Sequence, residues 1–99
     1  MATLFGSAVT ANTSAANGAN TGRVQENQVK EFFVSGVLNG ATVTLEMSFD
    51  GGTTFVPSLD PTHALTVAGF ISVPVSKSAV YSASVSSVGG STSVTFGFS

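Results

Sequence analysis

The chain has 99 residues, of which 42% are hydrophobic and 8% charged, with three basic groups against five acidic ones, a formal charge of −2 and no cysteine. This is the size of one small domain, with no positive field to neutralise nucleic-acid phosphates or an anionic membrane surface, and no thiol for a disulfide or a thiolate metal site. No apolar run reaches the roughly 18–20 residues of a membrane span and the first residues lack the basic-then-apolar layout of a signal peptide, so a soluble chain that is not exported by that route is expected.

Residues 1–22 begin with Leu4, Phe5 and Val9 and continue from 11 to 22 in Ala, Asn, Thr, Ser and Gly without one large apolar side chain. Such a stretch does not offset its own ordering entropy. It reads either as a flexible leader or as an extended arm that orders when Leu4, Phe5 and Val9 dock onto a partner, leaving 23–99 as the folded domain.

From Val24 the pattern takes the period of two expected of strands. Residues 29–37 hold Phe32, Phe33 and Val34 in succession, so this strand is apolar on both faces and is predicted to lie centrally or against a neighbour. Leu38-Asn39-Gly40 is a tight-turn signal, because Asn-Gly accepts positive φ at both central positions of a hairpin. Residues 42–49 then alternate cleanly, with Val43, Leu45, Met47 and Phe49 predicted inward and Thr42, Thr44, Glu46 and Ser48 outward. Asp50-Gly51-Gly52-Thr53 turns the chain again, and 54–57 returns with Phe55 on the core side.

Residues 57–63 contain two prolines and Asp60 and read as a loop. Residues 64–75 carry Leu65 and Val67, then Phe70, Ile71 and Val73 in a further strand that ends at Pro74 or lies at an edge, since proline removes a ladder donor. Residues 80–88 set Tyr81, Ala83 and Val85 against Ser82, Ser84 and Ser86, Gly89-Gly90 supplies a turn, and Val94, Phe96 and Phe98 share one face of the final strand. Composition agrees, since Val, Ile and Thr total 27 residues and eight Phe are present, whereas Leu, Glu, Lys, Arg, Gln and Met together reach only 15. The prediction is an all-β chain, a small antiparallel β-sandwich, Ig-like or jelly-roll-like, of about seven strands preceded by an extended N-terminal arm.

The residues capable of chemistry point away from an enzyme. His63 is the one histidine, and a Ser-His-Asp triad would have to use it, yet it lies in a proline-containing loop three residues after Asp60 and is read as an exposed loop histidine. Asp50 and Asp60 lack the aromatic sugar platforms that accompany a glycosidase carboxylate pair, and with His63 they have no spacing that converges metal ligands. Gly51-Gly52 and Gly89-Gly90 lack the strand-to-helix setting of a phosphate loop. No catalytic residue, metal or cofactor is therefore expected.

Ser48-Phe49-Asp50-Gly51-Gly52-Thr53-Thr54-Phe55 resembles the Asp-box hairpin of sialidases and other β proteins. The resemblance implies a structural hairpin built on Ser48, Asp50, Gly52, Thr54 and Phe55, with the carboxylate accepting backbone N–H groups, glycine relieving positive φ and the aromatic covering the turn. A calcium or sugar role for Asp50 is the other reading. A propeller would repeat the box, and it occurs once here.

The longer stretch 33–57, with Gly40-Ala41-Thr42-Val43-Thr44-Leu45 ahead of that hairpin, resembles the core of small β-sandwich virion structural proteins of tailed bacteriophages, and 81–95 is similar to their closing hairpin. Phe55 stands where that family often has Trp. The resemblance implies a capsid decoration (cement) protein on the virion surface, made in the host cytoplasm, with the major capsid protein as partner. The alternative is a tail, fibre or head-tail connector module that binds glycans through 56–64, for which Phe55 and Tyr81 are the nearest aromatic candidates. Outward Ser and Thr in place of Lys and Glu leave uncharged β surfaces suited to permanent assembly, although these residues also simply tolerate strands. A homo-oligomer is expected, a trimer on a threefold axis of an icosahedral shell, with the 1–22 arm and its Leu4, Phe5 and Val9 reaching across capsid subunits.

Overall fold

In a computed structural model of the chain, the described residues are 3–15, 22–23, 28–75 and 79–99, and they form a β-sandwich of two antiparallel sheets. The first sheet contains β1 (Thr3–Val9), β3 (Gln28–Val37), β7 (Gly69–Val75) and β9 (Ser93–Phe98), in the order β1-β9-β3-β7. The second contains β2 (Gly22–Arg23), β4 (Thr42–Ser48), β5 (Phe55–Pro57), β6 (Ala64–Leu65) and β8 (Val80–Ser86), in the order β2-β8-β4-β5, with β6 also pairing β4.

The core lies between the sheets. Phe32 and Val34 of β3, Val73 and Val75 of β7, and Val94, Phe96 and Phe98 of β9 face Val43 and Leu45 of β4 and Tyr81, Ala83 and Val85 of β8, all buried. Phe98 is the hub, its ring centroid 5.1 Å from Phe5, 5.4 Å from Tyr81 and 6.1 Å from Phe32 in edge-on or tilted contacts. Aromatic rings that meet edge to face gain beyond the area they bury, which suits a domain with few large side chains. Of the alternation predicted for 42–49, the inward Val43 and Leu45 and the half-covered Thr42 and Thr44 are observed, and β3 is central, flanked by β9 and β7. Pro74 lies inside β7, and β7 is an edge strand, where a missing N–H costs no ladder bond if it faces outward.

The N-terminal segment departs from the arm expected of 1–22. Thr3–Val9 is a strand paired to β9, Phe5 is fully buried in the core, and Leu4 pairs with Gly97. The chain then crosses to the other sheet, where Thr13 and Val85 exchange two backbone hydrogen bonds of 3.0 Å and β2 pairs with β8. Phe5 brings enough apolar area to seat β1. The polar residues that follow need only main-chain bonding to an existing strand edge, which side-chain composition does not register. Residues 1–2 and 16–21 of the expected arm lie outside the described residues.

The turn at Leu38-Asn39-Gly40 is present but is not a hairpin. Asn39 and Gly40 have φ of 47° and 90° and the Ala41 N–H donates to the Leu38 carbonyl at 2.9 Å, yet the strands it joins, β3 and β4, belong to different sheets. The Gly89-Gly90 turn likewise carries the chain from β8 in one sheet to β9 in the other. Leu38 and Ala41 point into the core from the first crossing. The two crossings lock together. The Thr92 hydroxyl donates to the Leu38 carbonyl at 2.7 Å and accepts from the Gly89 N–H at 2.9 Å. With its amide oxygen turned toward the neighbouring loop, Asn39 accepts from the N–H groups of Ser91 (2.9 Å) and Gly90 (3.2 Å). A Cβ at Gly89 would stand 2.5 Å from the Asn39 carbonyl oxygen, so glycine is required there by close approach of the two loops.

Candidate functional site

Three places on the surface concentrate side chains beyond what the core needs. The first is the hairpin between β4 and β5. Ser48 ends β4 and its hydroxyl donates to Asp50 Oδ1 at 2.7 Å while accepting from the Gly52 N–H at 2.8 Å. Asp50 Oδ1 also accepts from the N–H groups of Thr54 (2.8 Å) and Thr53 (3.1 Å). These bonds, the Thr54 N–H first and the Ser48 hydroxyl second, lower the Asp50 carboxyl from 3.8 to about 2. Gly51 and Gly52 take φ of 80° and 103°. Thr54 is exposed, and Phe55, expected on the core side, is half-buried across from Ser48 on the outer face of the second sheet, because the register of β5 with β4 sets it there. Phe49, expected inward, is 77% exposed, because the ladder stops at Ser48 and the turn swings the next residue outward.

The second place is the loop before β6, which holds the 3-10 turn Pro61–His63. Ser58 Oγ lies 2.7 Å from His63 Nδ1 and accepts from the Asp60 N–H at 3.2 Å. Asp60 caps the turn, its Oδ1 accepting from the Thr62 N–H (2.9 Å) and hydroxyl (2.7 Å), which lowers its carboxyl below 3.8. His63 is therefore not the exposed loop histidine expected. Its side chain is 16% exposed, with Nε2 3.7 Å from Asp60 Oδ2. It lines a cleft of about 200 Å³ with Leu45, Met47, Phe49, Val56 and Pro74. A serine, a histidine and an aspartate thus meet, but the Asp60 contact is beyond hydrogen-bond reach and the Ser58 hydroxyl is engaged in folding its own loop.

The third place is the outer face of the first sheet. Pairing of β3 with β7 sets Val29 against Pro74, Glu31 against Ser72 and Phe33 against Phe70, and alternation puts all six on the face away from the core residues Phe32, Val34 and Val73. Val29 is 63% exposed, Phe70 68% and Val37 54%. On the other side of Phe33 its partner is Gly97, which in turn pairs with Leu4. Phe33 and Leu4 are themselves partly covered. One carboxylate interrupts this apolar field, Glu31, whose Oε2 accepts from the Ser72 hydroxyl at 3.1 Å. A hollow of about 370 Å³ opens between Glu31, Phe33, Phe70 and Ser99. Ser99 is fixed beside Glu31 by paired backbone bonds of 2.9 and 3.2 Å.

The residues singled out in the sequence are thus distributed among separate places. Ser48, Asp50, Gly52, Thr54 and Phe55 form one hairpin. Of Leu4, Phe5 and Val9, Phe5 is withdrawn into the core and Leu4 borders the outer face of the first sheet. Tyr81, named as a glycan-facing aromatic, is 4% exposed, and the exposed aromatic near the 56–64 loop is Phe49. The pairing of Phe33 with Phe70 was not apparent from sequence. The apolar outer positions of β3 were legible, but which strand would lie beside them was not. Compared with known proteins, the chain matches no family model, no curated protein and no solved structure.

Proposed function

We propose that the protein is a non-enzymatic structural component of a tailed-phage particle, a capsid decoration protein that binds the assembled head through the outer face of its first sheet. The observation that carries this reading is the apolar field of Val29, Phe33 and Phe70, with Val29 and Phe70 exposed and Phe33 half-buried, around the Glu31 carboxylate. A contiguous apolar surface on a small domain marks an interaction site. The resemblance of 33–57 to virion sandwich proteins supplies the kind of partner, the major capsid protein. Because Phe5 serves the core, the attachment surface in this reading is the sheet face rather than an N-terminal arm. A module that binds the assembled lattice and not its dissociated subunits stabilises the lattice by mass action, with no chemistry required. In this reading it sits on the virion surface as a trimer.

The test is copy number against the major shell protein in purified particles of the source, by calibrated mass spectrometry, together with sedimentation of added protein with stripped heads. A count comparable with that of the shell subunits, and a loss of head binding in Phe70→Ser, support the proposal. A handful of copies would move the protein to the tail or connector. Phe49, exposed beside the His63 cleft, is the observation that favours that second reading, since a solvent-facing ring is what a glycan-binding loop needs.

A further inference from the structure

Among the described residues the outer face of the first sheet carries one charged side chain, Glu31, beside the hydroxyls of Ser72, Ser35 and Thr95, and that charge indicates what the partner must present. Glu31 projects among Val29, Phe33, Phe70 and Pro74, with its carboxylate oriented by the Ser72 hydroxyl at 3.1 Å. A protein surface that covered these side chains without a cation would strip water from a carboxylate and leave it with one hydroxyl donor, a costly arrangement. A carboxylate accepts about four hydrogen bonds, so the group has capacity for a bidentate donor as well. We propose that the hollow between Glu31, Phe33, Phe70 and Ser99 receives the guanidinium of an arginine on the partner protein, and that this contact anchors the docking face. The inference rests on the docking reading above and specifies its chemistry.

Arginine fits these walls better than lysine does. Its planar group can make parallel hydrogen bonds to the Glu31 carboxylate while lying against an aromatic face, and it gives up hydration more readily than an ammonium. The hollow, about 370 Å³, lies at the small end of the roughly 300–1,000 Å³ typical of ligand clefts. The guanidinium comes from another molecule. This chain carries five acidic groups against three basic ones, its single arginine, Arg23, is in β2 of the other sheet, and Lys30 alternates to the opposite side of β3 from Glu31.

The experiment is a 15N–1H NMR titration of the isolated full chain with N-acetyl-arginine-methylamide. N-acetyl-lysine-methylamide with a free ε-amine and the uncharged norleucine analogue serve as parallel probes. The expected result is a set of shifts centred on Glu31, Phe33, Phe70 and Ser99 for the arginine probe, at least tenfold weaker for the other two. Apparent affinity is expected to fall at least tenfold in Glu31→Gln and in Phe70→Ser, both checked for unchanged spectral dispersion. Shifts centred elsewhere, an equal response to lysine, or undiminished binding by either variant would overturn the proposal. If the arginine probe fails to bind while wild-type protein still binds stripped heads and Phe70→Ser does not, the anchor is wrong and the docking reading survives. If the probe binds as expected but the protein ignores heads, the arginine site stands and its partner lies elsewhere.

Discussion

The Thr92 side chain and the Leu38 carbonyl, 54 residues apart in sequence, meet in a buried 2.7 Å hydrogen bond that ties together the two loops carrying the chain between sheets. Thr92 is only 3% exposed and its oxygen also accepts from the Gly89 N–H. Replacement by valine keeps the shape and leaves both main-chain groups without that partner. Thr92→Val is expected to cost about 1–3 kcal/mol in urea unfolding, the range for buried polar groups left unpaired.

Phe5 tests whether the N-terminal strand belongs to the domain. It is fully buried and edge-on to Phe98 at 5.1 Å. Phe5→Ala is expected to destabilise by about 3–5 kcal/mol, as other core Phe truncations do, and chemical denaturation measures it. A loss below about 1 kcal/mol would mean that β1 contributes little to the fold.

Asp50 makes stability depend on pH in a defined direction. Its carboxyl is lowered from 3.8 to about 2, so its contribution is fully present above the unfolded value and is lost as pH falls from near 4 through about 2. Thermal melts of wild type and Asp50→Asn should differ at pH 7, with the variant lower, and the gap should close as pH approaches 2.

Much of the fold was legible where one residue type settles the matter locally. The alternation of Val43 and Leu45 with Thr42 and Thr44 assigns inward and outward faces without reference to the rest of the chain. Pro74 permits only an edge or a strand end. Sheet membership was not legible at Asn39-Gly40, because positive φ at two residues reverses the chain whether the next strand pairs with the last or crosses above it. The outward hydroxyls misled for another reason. Ser48 and Ser82 share the outer face of the second sheet by register, yet both are buried. At Ser48 the cover comes from its own hairpin, which bonds back to the hydroxyl. Strand alternation reports which face a side chain takes, not what a neighbouring loop lays over it. The apolar outer residues of β3 were visible as a pattern, whereas the Glu31–Phe33–Phe70 hollow needs the register with β7, which no local signal specifies.

Ser82 offers a gain in stability. Its hydroxyl is fully buried and has no hydrogen-bond partner among the described residues. Ser82→Ala is expected to stabilise the domain by about 1 kcal/mol, since it removes an unpaired polar group at little loss of volume. Urea midpoints compared at equal slope give the answer.

Pro74 guards an open edge. Strand β7 has β3 on one side and no charged residue along Gly69–Val75. Few other devices are present there to prevent strand-to-strand pairing between molecules. Pro74→Thr is expected to associate with rising concentration, seen as faster sedimentation and suppressed by added charge in Ser72→Lys.

Because β1 lies against β9, the opening strand of the sandwich has no sheet neighbour until the closing one has been synthesised. On the ribosome, Thr3–Val9 with its Phe5 must wait, unpaired and apolar, until Ser93–Phe98 emerges behind it. Such non-local pairing slows folding and lengthens the time during which sticky surface is exposed. The sandwich can close only after translation has passed Phe98, so Phe5 finds its place beside that ring as one of the last steps in assembling the core.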